Sequence, residues 1–272
     1  MPRATVNDNG LEINYEIYGD SSKPTLVMTH GLGGQGVAYE PHVPALTQDF
    51  RVLLWDMRGY GDSDRPAVAD GVYSRYSHAA DLSGLLKALD IPAAHIHGHS
   101  LGGLVAQEFV LSYPDQTLSL IVQDSSAEIK EEYLAGWTAR LDDIRKNGLS
   151  PVPEDPIRTW SARFIDAHPE VIAQQARESA ERNDPLVIAE GSRISGPELF
   201  ESPLATRLAE IKCPVLIICG NEDRLTPPGG HVRINRAIPQ SKLAILPEGG
   251  HFINIETPEV FQNTILEFLR GI

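Results

Sequence analysis

The chain has 272 residues, 37 of them acidic and 23 basic, for a net charge of −14. That length suits one large core or a core with an insertion, and that charge repels phosphate backbones and anionic headgroups, which argues against nucleic acid and membrane surfaces as partners. No apolar stretch approaches the roughly 18 residues that span a bilayer, and the opening run from Met1 to Gly10 has no apolar segment, so the expectation is a cytoplasmic protein. Cys213 and Cys219 share one extended segment, too far apart to bridge, and are expected to be reduced core thiols.

Leu11 to Ile17 alternates at period two, as a strand with one wet face does, whereas Thr25 to Thr29 and Val52 to Trp55 read as continuous strands in the buried centre of a parallel sheet. A helical pattern lies between those two, over roughly Tyr39 to Leu46, and another follows from Ser77 to Leu89. Ala94 to His97 is a further strand. It runs through Gly98-His99-Ser100-Leu101-Gly102 into a helix from Leu101 to Ser112, which stops at Tyr113-Pro114 because proline makes continuation costly. Leu118 to Val122 is again a strand.

From about Ala127 to Leu208 the rhythm changes. Four helical patterns follow one another, Ile129 to Lys146, Ile157 to Ala167, Pro169 to Arg182 and Leu186 to Ile194, separated by Gly148, Pro151, Pro153, Pro156 and Asn183-Asp184-Pro185. Strands resume at Val215 to Cys219 and Leu243 to Leu246. The last helix opens with Thr257-Pro258-Glu259: a capping hydroxyl, a proline suited to the first helical position and an acid suited to the dipole. Alternating strands and helices imply a mostly parallel sheet covered on both faces. The expected organisation is a core of residues 1–126 and 209–272, with residues 127–208 inserted as a helical lid over the carboxyl edge of the sheet.

Ligands of an open α/β sheet bind beyond the carboxyl ends of its strands, so the residues just after each strand carry the chemistry. A G-x-S-x-G run between a strand and a helix holds its serine hydroxyl clear of the sheet. Ser100 is therefore the candidate nucleophile. A serine is protonated at neutral pH and needs a base, which His251 on its glycine-flanked loop supplies; Asp223, after the Val215 to Cys219 strand, would fix the tautomer and balance the imidazolium. Backbone N–H groups must face the developing oxyanion. Leu101, next to the serine, and Leu32, in the glycine-rich loop after Thr25 to Thr29, are the expected donors.

The order Ser100, Asp223, His251 is that of an α/β-hydrolase, and the chain resembles that family over nearly its full length. The resemblance rests on His30-Gly31, on Asp56-Met57-Arg58-Gly59-Tyr60-Gly61-Asp62-Ser63, on Gly98 to Gly103, on Gly220-Asn221-Glu222-Asp223 with Thr226-Pro227, and on Gly250-His251 with Asn254 to Glu259. It implies a mostly parallel eight-stranded sheet with helices on both faces and an inserted helical lid. Trp137-Thr138-Ala139-Arg140, Thr159 to Phe164 and the C-terminal block look like the corresponding segments of 3-oxoadipate enol-lactonases. Those lactonases tend to carry a Ser-Leu-Gly-Thr-like loop where this chain has His30-Gly31-Leu32-Gly33-Gly34, the version common in esterases and carbon–carbon bond hydrolases. The function expected is hydrolysis of a small ester or lactone without cofactor or metal, by a monomer or homodimer. Cleavage of a carbon–carbon bond beside a ketone, peracid formation and a non-catalytic binding role are the alternatives.

Several residues admit a second reading. Asp124 also follows a core strand and could be the acid in place of Asp223, or could cap the first lid helix. His95, His97 and His99 share a strand face but lack a nearby carboxylate or thiol, and read as hydrogen-bonded core histidines rather than metal ligands. Asp56 and Asp62 are expected to hold the loop beside the nucleophile. Trp160 and Phe164, four apart on a lid helix, form either a pocket wall or a packing face. Arg140, Arg163 and Arg193 either meet a substrate carboxylate or lie on a solvated face.

Overall fold

The computed structural model describes residues 2–152 and 155–272; Met1 and the expected helix separator Pro153 lie outside them. The strands are β1 (Arg3–Thr5), β2 (Glu12–Tyr18), β3 (Thr25–Thr29), β4 (Arg51–Trp55), β5 (Ala94–His99), β6 (Thr117–Gln123), β7 (Val215–Gly220) and β8 (Lys242–Leu246). They form one eight-stranded sheet in the order β1-β2-β4-β3-β5-β6-β7-β8. β1 and β2 pair antiparallel to each other, and β2 pairs antiparallel to β4. All other pairs are parallel, so the chemistry-bearing loops after β3 to β8 gather at one edge.

The helices are α1 (Val43–Leu46), α2 (Arg75–Ala88), α3 (Leu101–Ser112), α4 (Glu131–Asn147), α5 (Ala162–Ala167), α6 (Pro169–Arg182), α7 (Pro185–Arg193), α8 (Leu199–Glu201), α9 (Pro228–Ala237), α10 (Ile253–Glu256) and α11 (Pro258–Arg270). Successive strand residues point to opposite faces, and the core divides accordingly. Val27, Leu53, Ile96, Val122 and Ile217 pack with Leu82, Leu85, Val105, Phe109 and Ile234 of α2, α3 and α9. Leu26, Met28, Leu54, Ile121 and Ile218 pack with Leu46, Phe261 and Ile265 of α1 and α11. Strands buried on both sides are mostly apolar; β3 and β5 are buried throughout, and the polar residues of β5 are histidines, of which His95 and His97 hydrogen-bond to β6.

Several elements differ from the sequence expectation, the short helices α8 and α10 among them. β1, three residues long, is too short to show a period. α9 carries Gly229-Gly230 in its first turn, which hides its pattern, although Pro228 sits where a helix tolerates it. The Tyr39 to Leu46 segment is a 3₁₀ stretch, Gly36–His42, followed by α1, because Pro41 and Pro44 remove two donors. The expected Ile157 to Ala167 helix splits into a single turn, Pro156–Arg158, and α5, capped by Ser161. The cause is the backbone of Thr159 to Ser161, which turns away to bond with the core: the Thr159 carbonyl accepts from His251 N at 2.6 Å and Ser161 N donates to Glu256 Oε2 at 2.8 Å.

Between β6 and β7 the described residues form α4 to α8 and turns, with no strand. The seat of this insertion is a buried ionic chain. Arg75 of α2, 1 % exposed, binds Glu108 of α3 at 3.0 Å and Glu198 of the insertion at 3.4 Å, and donates to the Ser202 carbonyl at 2.8 Å. Glu198 continues to Arg193 at 3.0 Å, Arg193 to Glu190 at 2.7 Å, and Glu190 to Arg145 at 2.9 Å. Arg193 is thus committed to Glu190 and Glu198, neither a solvated cation nor a substrate anchor. Arg163 pairs with Glu248. Among the described residues no helix is long and apolar enough to cross a membrane, and no cluster of three His, Cys, Asp or Glu could hold a metal.

Histidines are buried throughout the core. His95 Nδ1 meets Ser119 Oγ and His97 Nε2 meets Gln123 Oε1, both at 2.8 Å, while among the described residues neither ring nitrogen of His78 has a hydrogen-bond partner. Burial holds His42, His95, His97 and His231 down at about 4 and His78 at about 3. Below the ordinary value of 6.5 the unfolded chain binds protons that these buried rings refuse. Stability is therefore full above that pH and falls as pH drops, by about 1.4 kcal/mol per pH unit for each such ring. Circular dichroism followed against pH is expected to show cooperative unfolding between about pH 6 and pH 4; a fold intact below that range would show that the rings accept protons in place.

Candidate active site

Ser100 links β5 to α3 with φ +52° and ψ −116°, a region that non-glycine residues occupy only under constraint. Its surroundings supply that constraint. Ser100 N donates to the Gln123 carbonyl at 2.9 Å, and the Ser100 carbonyl accepts from Ser125 Oγ at 2.7 Å and Gly103 N at 2.9 Å. A Cβ on Gly98 would stand 2.1 Å from the Gly102 carbonyl oxygen, and one on Gly102 would stand 2.3 Å from the His30 carbonyl oxygen. The glycines of the G-x-S-x-G run are thus required by backbone contact.

His251 and Asp223, 2 % exposed each, lie beyond β8 and β7. His251 Nδ1 donates to Asp223 Oδ2 at 2.7 Å. The same carboxylate accepts from Thr226 Oγ1 at 2.6 Å and from the backbone N–H groups of Leu225 and Thr226 at 2.8 and 2.9 Å. Burial alone would raise the Asp223 pKa, but the charge and hydrogen bond of His251 and the Thr226 donors outweigh it and bring it to about 2. Thr226, three residues after the acid, is the kind of local hydroxyl partner a turn supplies.

Asp124 does not compete for His251. Its Oδ1 accepts from Gly220 N at 2.9 Å and its Oδ2 from Gln123 Nε2 at 3.2 Å, so it ties the end of β6 to β7 and does not cap the first helix of the insertion. Burial first, and then the Asp223 charge, push its carboxyl well above the ordinary range. Among the described residues, of the two acids only Asp223 hydrogen-bonds the imidazole.

His99, the residue before Ser100, contacts His251: its Nε2 donates to the His251 carbonyl at 2.8 Å and its ring lies 4.9 Å from the His251 ring. No hydrogen bond joins the Ser100 hydroxyl to the imidazole among the described residues. Facing the serine, Gly31 to Gly34 make a tight turn closed by Gly34 N to the Gly31 carbonyl at 3.1 Å, with Gly33 at φ +72°, the conformation a type II turn requires at its third residue. Among the described residues neither Leu32 N nor Leu101 N donates to a protein group. Asp56 holds this edge by accepting from Gly36 N, Asn14 Nδ2 and Asp62 N, whereas Arg58 pairs with Asp81 of α2.

A cavity of about 260 Å³ opens between the glycine loop and the insertion, with His99, Trp160, Gln175, Phe252 and Asn254 on its walls. Trp160 and Phe164 do not share a helix face, since Trp160 precedes α5, yet their rings stack at 4.9 Å and 11°. Trp160 lines the cavity; Phe164 backs it. Gln175 carries no distinguishing sequence signal, and Asn254 stands out only as part of the block that follows His251.

A three-layer α/β sheet with a strained serine turn, a buried acid–imidazole pair and a helical insertion defines a class. The alpha/beta hydrolase fold family matches residues 24–258, and the chain belongs to it and is a hydrolase. It is 28% identical over 262 residues to 3-oxoadipate enol-lactonase 2 of Acinetobacter baylyi, covering 96% of this chain and 94% of that one. It is 32% identical over 253 residues to a putative carbamate hydrolase, RutD, of Pseudomonas savastanoi pv. phaseolicola, covering 91% and 94%. The solved structure of a thermophilic esterase from Thermogutta terrifontis superposes with a TM-score of 0.86 at 28% identity, over 99% of this chain and 98% of that one.

The glycine contacts give a direct test. Gly102→Ala is expected to lose about 1 to 3 kcal/mol or more in urea unfolding, as overpacking does. Gly136→Ala, where a Cβ on α4 meets nothing within 4 Å, is expected to gain about 0.5 to 1 kcal/mol from helix propensity. Equal effects at both positions would contradict the close approach at the turn.

Proposed function

We propose that this hydrolase cleaves a small carboxylic ester or lactone through an acyl-enzyme on Ser100. The observation that carries the reading is the strained Ser100 turn beside a His251–Asp223 pair whose acid stays ionised. His251 Nε2 takes the hydroxyl proton as Ser100 Oγ attacks the carbonyl carbon, and the N–H groups of Leu32 and Leu101 receive the oxyanion. Collapse breaks the bond to the alkoxy oxygen, which leaves with the proton from His251; in a lactone it stays tethered to the acyl chain. Water then gives a proton to His251, attacks the acyl carbon and releases the acid, and the proton returns to Ser100. Asp223 keeps Nδ1 protonated, so that Nε2 is free to act as base. A carbamate carbonyl passes through the same tetrahedral oxyanion, in keeping with the RutD relative.

A fluorophosphonate probe is expected to label Ser100 in the folded wild type and not in Ser100→Ala, which also loses ester and lactone turnover. Asp223→Asn is expected to lower kcat by about three to four orders of magnitude, through the wrong tautomer, while Asp124→Asn keeps most of it. Turnover that survives Asp223→Asn and disappears in Asp124→Asn would reverse the acid assignment.

A further inference from the structure

The turn that carries the Leu32 amide is pinned from two sides. From the core, Met57 N donates to His30 Nε2 at 3.1 Å, which leaves the proton on Nδ1, and Nδ1 donates to the Gly31 carbonyl at 2.8 Å. From the insertion, Asn183, in the corner between α6 and α7, donates from Nδ2 to the Gly33 carbonyl at 3.1 Å. The same nitrogen faces the Ser179 carbonyl at 2.8 Å and Ser179 Oγ at 3.4 Å. Three acceptors around one atom identify it as the amide nitrogen. The corner also fits the loop closely. A Cβ on Gly33 would stand 2.9 Å from Ser179 Oγ, and Gly191 of α7 leaves room for Leu32 Cδ1 and Leu101 Cδ2, which would stand 2.4 and 3.2 Å from a Cβ there.

We propose that Asn183 is a positioning residue for catalysis: by holding the Gly33 carbonyl it fixes the Gly31 to Gly34 turn, and with it the direction of the Leu32 N–H. This rests on the assignment of Leu32 N as an oxyanion donor. The His30 bond and the closing bond both hold the Gly31 carbonyl, whereas Asn183 holds that of Gly33, and among the described residues its side chain hydrogen-bonds no group on the acid–imidazole side of the site. Loss of its bond therefore affects the step in which charge develops on the carbonyl oxygen, not the binding of the uncharged ester. Displacing a donor by a fraction of its hydrogen-bond length costs rate through the transition state alone.

The test is steady-state turnover of a p-nitrophenyl ester by wild type, Asn183→Ala and Asn183→Asp, with inhibition by an arylboronic acid, whose tetrahedral adduct on serine mimics the oxyanion. Asn183→Ala is expected to lower kcat by about tenfold to a hundredfold, with KM within about twofold and the boronate weakened in proportion to kcat/KM. Asn183→Asp, similar in shape but with an acceptor facing the carbonyl, is expected to be at least as slow, and it carries the test if the alanine variant does not fold. Wild-type kcat and boronate affinity in a folded Asn183 variant, with Ser100→Ala inactive, would overturn the positioning role while leaving the serine mechanism standing. An active Ser100→Ala would overturn the mechanism and the positioning role with it.

Discussion

The chain leaves β5 and enters α3 through the single residue Ser100, held at positive φ, and the arrangement of the carboxyl edge follows from how that turn is accommodated. A non-glycine residue in such a conformation costs about 1 to 3 kcal/mol. Two side-supported hydrogen bonds, Ser100 N to Gln123 and Ser125 Oγ to Ser100, offset it at about 1 kcal/mol each. Gly98, Gly102 and Gly103 let the first turn of α3 lie directly on β5, on the His30 carbonyl and on Ser125. The helix start, the glycine loop after β3 and the loop after β6 thus meet within van der Waals contact around one hydroxyl.

The second organising constraint is electrostatic. Asp124 and Asp223 follow adjacent strands, and the charge of Asp223 disfavours ionisation of Asp124. His251, Thr226 and two backbone amides stabilise the charge on Asp223, while burial with fewer donors pushes the Asp124 carboxyl well above the ordinary range. That division favours the charge on the acid that meets the imidazole. The insertion completes the site without adding charge to it. Arg145 and Arg193 are held in the chain with Glu190 and Glu198, and the insertion's contacts with the site include Trp160 and Gln175 on the cavity wall, a backbone bond from His251 N to Thr159 and the Asn183 corner against the glycine loop.

Much of this was legible in the residues. Strands without charged interruption announced a doubly covered sheet, and β1 escaped because three residues have no period. Ser100, Asp223 and His251 stood out as candidates because each follows a strand that periodicity identifies, and the structure pairs Asp223 with His251 while tying Asp124 to Gly220. What escaped depends on tertiary contact. The helix through Trp160 and Phe164 is interrupted by bonds to His251 and Glu256 that no local pattern encodes. Arg193 carries the same charge whether it meets a substrate or Glu198. Asn183 read as a turn residue before Asp184-Pro185, and only the fold brings it to Gly33.

Covalent chemistry at Ser100 is the central claim. Intact-mass spectrometry of enzyme quenched within milliseconds of mixing with an acetate ester, followed by peptide mapping, tests it most directly. The account predicts one acetyl group per chain, on Ser100, appearing with a burst of alcohol and decaying at the turnover rate. Full turnover with no acyl adduct under conditions where deacylation is slowed, or an adduct on any other residue, would contradict it.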